Sequence, residues 1–158
     1  MNFSYLLAES EVIKAMQLHS RGSLNTMALL ITVAAALLFL GLFTELGVIG
    51  LAGAIGGVCG YFSVLIIFVP LRAKRAYAEN RALRTKIVVD LTESEVTFHT
   101  LSGESKLQWQ DILNWKKGGG MYLLYLTKSI FLMVPSRAVG EEGKFKEFLE
   151  RFIGPAKN

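Results

Sequence analysis

The chain has 158 residues, 52% of them hydrophobic and 19% charged, with a formal net charge of +4. That length allows one compact unit, or a membrane piece with one small domain. The charged fraction is below the quarter or so of an ordinary soluble domain. One cysteine, Cys59, excludes an intrachain disulfide and a cysteine-based metal cluster.

The N-terminus reads as a short strand, with Phe3, Tyr5 and Leu7 on one face. Ser10 and Glu11 then open a helix running to about His19. This cytoplasmic strand and helix occupy residues 1–21. Residues 22–72 form the predicted transmembrane hairpin, with spans at about 24–43 and 47–70. Gly22 to Thr44 and Leu46 to Leu71 carry no charge, and Glu45 lies in the tight turn between them. Each run meets the length of about 20 apolar residues that crossing hydrocarbon requires. The long mixed segment before the first run is unlike a signal peptide, so retention is expected.

Lys14 and Arg21 precede the hairpin, and Arg72, Lys74, Arg75, Arg81, Arg84 and Lys86 follow it. Positive flanks face the cytoplasm. The expected arrangement is therefore multi-pass, with both termini cytoplasmic. A basic balance placed there argues against nucleic acid as the partner. Residues 73–86 read as a basic linker, and Arg72 just before it with Lys74, Arg75, Arg81 and Arg84 within it are candidates to face lipid or an anion. The second span holds Gly53, Gly56, Gly57 and Gly60, two overlapping GxxxG pairs that allow close helix approach. The expected neighbour is the first span at Ala34–Ala36, with self-association as the alternative.

Residues 87–158 change to a period of two. Strands are predicted at 86–91, 95–99, 105–109, 112–115, 121–126 and 130–134, with turns at 101–104, 118–120 and 127–129. An amphipathic helix follows from Glu141 to Phe152, acidic in its first turn and ended by Gly154-Pro155. Trp109, Phe145, Phe148 and Phe152 are the expected domain core. The fold class is an α+β membrane protein: a two-helix hairpin plus a small antiparallel β domain, capped by that helix. With both ends on one side, the first strand is free to join the C-terminal sheet, which the sequence leaves open.

Several motifs resemble the YcxB-like family of bacterial membrane proteins. They are Asn80-Arg81-Ala82-Leu83, where the family usually shows Asn-Pro; Ile87–Asp90; Val96–Phe98; Trp109-Gln110-Asp111-Ile112; Met121–Leu126; and Val134-Pro135-Ser136-Arg137-Ala138. The resemblance runs over nearly the whole chain. It implies a C-terminal domain like a bacterial variant of the pleckstrin-homology fold, and it brings no catalytic residues.

The chemistry-bearing residues are sparse. His99 reads as a surface residue with no visible partner for a role as base, His19 as interfacial, Asp111 as a backbone cap, and Arg137 as an ion pair with the C-terminal helix. Gly118-Gly119-Gly120 lacks the Lys-Ser/Thr and the helix of a phosphate loop. The expectation is a non-enzymatic membrane protein without a cofactor or metal. Its PH-like domain would bind a protein or lipid partner. An immunity protein that neutralises a toxin is one alternative, and a small membrane enzyme is another.

Overall fold

A computed structural model describes residues 1–21, 24–43, 47–101 and 103–157. Strand β1 (Asn2–Tyr5) is followed by α1 (Glu9–Ser20) and α2 (Leu24–Phe43). Next come α3 (Gly47–Ser63), a π-helical turn (Val64–Phe68) and α4 (Val69–Glu79), which form one continuous helix from Gly47 to Glu79. Strands β2 (Ile87–Leu91), β3 (Glu95–Thr100), β4 (Gly103–Gln108), β5 (Asn114–Gly118), β6 (Met121–Tyr125) and β7 (Phe131–Pro135) follow, then α5 (Glu142–Phe152).

The strands form two antiparallel sheets, ordered β1-β2-β3-β4 and β5-β6-β7. β1 pairs with β2, Phe3 opposite Val89 and Tyr5 opposite Ile87. The N-terminal residues therefore belong to the same folded unit as the C-terminal strands, and α1 to α4 are an insertion between neighbouring strands. The alternation seen in the sequence places Phe3, Tyr5 and Leu7 inside. The β5–β6 hairpin turns on Gly119 and Gly120, at φ +60° and +78°. A two-residue turn with positive φ at both positions matches the twist of the strands it joins.

The core lies between the sheets and α5. Phe145 is fully buried, edge-on to Phe3 of the first sheet at 5.8 Å and to Tyr122 of the second at 5.1 Å. Trp109 stacks on Phe152 at 5.1 Å and lies 6.3 Å from Phe148. Its ring is buried, but it opens a 3-10 turn after β4 rather than sitting within a strand. Its indole N–H donates to the Thr92 carbonyl, as a buried indole requires. Trp115 donates to the Gly154 carbonyl at 2.8 Å, fixing the chain just after α5.

Two features of the helical region differ from the sequence reading. Among the described residues, one helix is long and apolar enough to cross a membrane: Gly47–Glu79, with a mean hydropathy of 2.2 in its most apolar window. The apolar stretch Ala28–Phe43 is shorter, and the turn at Thr44 and Glu45 lies outside the described residues. The predicted basic linker is also largely helical. α4 runs through Arg72, Lys74 and Arg75 to Glu79, and Arg81–Arg84 add a 3-10 turn. Ala, Lys and Arg are good helix formers, and α1 supplies a packing partner.

Candidate functional site

The described residues converge where the long helix meets the domain. α1 packs antiparallel on α4, with Val12, Ala15 and Ala73 fully buried. At one end the Tyr77 hydroxyl donates to the Leu7 carbonyl at 3.1 Å, and Lys74 lies 3.6 Å from Glu9. At the other end Gln17 Nε2 donates to the Leu65 carbonyl at 3.4 Å. That carbonyl lies in the π-helical turn. The Val69 N–H bonds back to the Val64 carbonyl. In the same register, the donor for Leu65 would be residue 70, a proline with no N–H. Gln17 thus satisfies an acceptor that the helix cannot.

Arg137 holds the other side of α1. Its Nε lies 2.6 Å from Glu11 Oε1, and one terminal nitrogen donates to Glu11 Oε2 and to the Leu6 carbonyl, each at 2.9 Å. Its partner is therefore α1, not the C-terminal helix expected from sequence. Glu11 also accepts from the Ala8 N–H at the start of α1. Burial pushes the Glu11 carboxyl up, but hydrogen bonds from Arg137 and Ala8, with the charges of Arg137 and Lys14, outweigh it and hold the pKa below its usual value. His19, at the far end of α1, meets the Tyr125 hydroxyl at 3.2 Å and the Phe131 ring at 4.6 Å. Burial, then the charge of Lys116, lowers its pKa.

The basic candidates Arg72, Lys74, Arg75, Arg81 and Arg84 are all exposed. Lys74 pairs with Glu9.

The glycine candidates divide. A Cβ on Gly53 would touch the Leu37 side chain at 3.6 Å, whereas Gly56, Gly57 and Gly60 face open space. The tight approach is made instead by Gly41, Gly47 and Gly50. A Cβ on Gly50 would lie 2.6 Å from the Leu37 carbonyl oxygen and 2.7 Å from the Gly41 nitrogen. Past that contact the helices diverge around an apolar groove of about 500 Å³, lined by residues including Leu30, Ala34, Gly57 and Tyr61.

His99 has partners, contrary to the sequence reading. Its Nε2 lies 3.2 Å from Asp90, and its Nδ1 3.9 Å from Glu104, which also pairs with Lys106. His99 and Glu104 are opposite one another across β3–β4, and Asp90 is diagonal on β2. Asp111 accepts from the Gln108 N–H at 3.0 Å, closing the 3-10 turn. His99, Asp111 and Arg137 each serve a different partner. Among the described residues, no three His, Cys, Asp or Glu side chains gather as a metal site.

Residues 91–150 match the family model described as YcxB-like protein. The chain carries a YcxB-like domain. This match runs from the end of β2 into α5 and includes Trp109–Ile112, Met121–Leu126 and Val134–Ala138. The Asn80–Leu83 and Ile87–Asp90 motifs lie before it. No curated protein matches the chain. The matched segment leaves out β1 and all of β2 but its last residue, and β1 comes from the other side of the helical insertion.

Proposed function

We propose that the chain is a non-catalytic protein of a bacterial inner membrane that presents its YcxB-like domain, PH-like in architecture, to a partner on the cytoplasmic side. The observation that carries this reading is the continuous helix Gly47–Glu79. Its apolar part is exposed at Val48, Ile49, Ile55, Ile66 and Phe68, and its basic end is packed into the domain through α1. Exposure of that kind suits lipid, not water.

The β1–β2 pairing supports two crossings. Residues 2–5 and 87–90 share one sheet, so they lie on one side of any bilayer. One crossing by α3 then needs a return, and we assign it to α2, whose 20 residues extend about 30 Å. Basic residues on α4 and at Arg21 favour the cytoplasm for that side. The four-plus-three strand arrangement with a closing C-terminal helix supports the PH-like comparison. Such a domain offers surfaces for recognition, and His99, Asp111 and Arg137 are occupied structurally.

The test is a triple replacement, His99→Gln, Asp111→Asn and Arg137→Lys, in cells that depend on the chain. The reading expects function to persist while the protein stays folded. Loss of function with folding retained would return the assignment to an enzyme.

A further inference from the structure

The contacts between α1 and the long helix set the height of the domain against the span. Leu7 is tied to Tyr77, Glu9 to Lys74, and Gln17 to Leu65. At 1.5 Å per residue, His19 lies about 3 Å beyond Gln17, level with roughly residue 63 of the antiparallel neighbour. About 20 residues counted from Gly47 reach the neighbourhood of residue 66, the end of a hydrocarbon crossing. His19 therefore stands beside the last turn of the apolar stretch.

His19 is also one of the points where the second sheet touches α1, beside Leu18 and Lys14, which meet Gly118 and Gly119. Tyr125 and Phe131, its two aromatic contacts, are register partners that close the β6–β7 turn. That turn carries Lys128, exposed, and Ile130, 59% exposed. Leu113, 60% exposed, donates its N–H to the Tyr125 carbonyl at 2.8 Å and so lies at the same end. Arg21 follows one turn past Gln17 and is exposed. Two apolar side chains and a cation thus lie at the end of the second sheet that meets His19 beside the long helix.

We infer that this end of the second sheet, Leu113 and Ile130 with Lys128 and Arg21, rests in the headgroup layer and docks the domain onto the bilayer at a second point. The inference depends on the membrane reading above. The occupant is lipid because the patch continues the lipid-facing surface of the span. Its chemistry is that of an interface, with apolar tips inserted and cations held at the anionic headgroups. A domain tethered twice has a fixed orientation, leaving its opposite face for a partner.

The test uses the full chain in phosphatidylcholine–phosphatidylglycerol vesicles, with an environment-sensitive fluorophore at single cysteines. Leu113→Cys, Ile130→Cys and Leu101→Cys are made on a Cys59→Ser background, and the natural Cys59, exposed on α3, is labelled separately. Leu101, 86% exposed, tips the β3–β4 hairpin at the end of the first sheet where β1 leads to the start of α1.

The expected result is blue-shifted emission at 113 and 130, loss of quenching by aqueous iodide, and quenching by lipid brominated near the headgroup, with 101 open to iodide. Labels at 113 and 130 as open to iodide as 101, with Cys59 quenched by lipid, overturn the docking but leave the span. A Cys59 label in water removes the membrane reading itself. Should a variant misfold, the unsubstituted chain is irradiated with a lipid carrying a diazirine near its headgroup. Adducts on Leu113 and residues 126–130 support the docking, and adducts confined to 24–79 overturn it.

Discussion

Arg137 and Glu11 show how one side chain ties distant segments together. The guanidinium reaches both carboxylate oxygens and the Leu6 carbonyl, a fork that an ammonium cannot reproduce. Arg137→Lys should therefore lower stability by about 1 kcal/mol, as for a partly exposed charged pair, read as a fall in thermal midpoint in detergent. An unchanged midpoint would show the fork to be idle. Glu11 adds a pH dependence. Its pKa is lower in the folded chain than its usual 4.5, so its contribution is full above that value and is lost as pH falls through the folded pKa. Glu11→Gln should lower stability at neutral pH and flatten the acid limb of the stability profile below about pH 4.5. An acid limb of unchanged slope would assign it to other carboxylates.

At the scale of elements, Pro70 and Gln17 form a testable pair. Removing the amide donor leaves a carbonyl unsatisfied, which costs about 1 kcal/mol or more. Gln17→Leu should be destabilising in the natural chain and close to neutral in the Pro70→Ala chain, where residue 70 regains an N–H. Equal costs in both backgrounds, measured by a double-mutant cycle in detergent, would contradict the coupling. The α2–α3 contact gives a second comparison. A Cβ on Gly50 meets backbone atoms that cannot move aside, whereas one on Gly57 meets nothing within 4 Å. Gly50→Ala should cost about 1–3 kcal/mol, and Gly57→Ala should cost little. The reverse order would place the seam at the GxxxG pairs.

The sequence disclosed elements better than contacts. Strands at 87–91, 95–100 and 121–125 and the helix at 142–152 were legible because alternation and helical spacing follow from backbone geometry. The π-helical turn was not legible, since Pro70 alone signals a fault without saying where the unpaired carbonyl finds a donor. The tight glycines were misplaced for a similar reason. A GxxxG pattern states that two backbones can approach, but the crossing point depends on where the turn sets the register of both helices. The partner of Arg137 was hidden because the pairing joins segments 126 residues apart, and those of His99 because they depend on the register of two adjacent hairpins.

For the whole molecule, the β1–β2 pairing is the central fact. It closes a loop that begins at residue 5, passes through α1 to α4 and returns at residue 87. The helical insertion is therefore held at both ends by one sheet. Leu7, Val12 and Ala73, from the start and finish of the insertion, are buried in the core that α5 and the second sheet complete. In this architecture the N-terminal strand completes the first sheet and closes the loop that carries the helical insertion.

The most direct measurement is the location of a reporter fused after Asn158, made in bacterial cells alongside alkaline extraction of the membranes. The account predicts a chain retained in the membrane pellet and a reporter active on the cytoplasmic side. A reporter active in the periplasm, or a chain recovered in the supernatant without detergent, would contradict it.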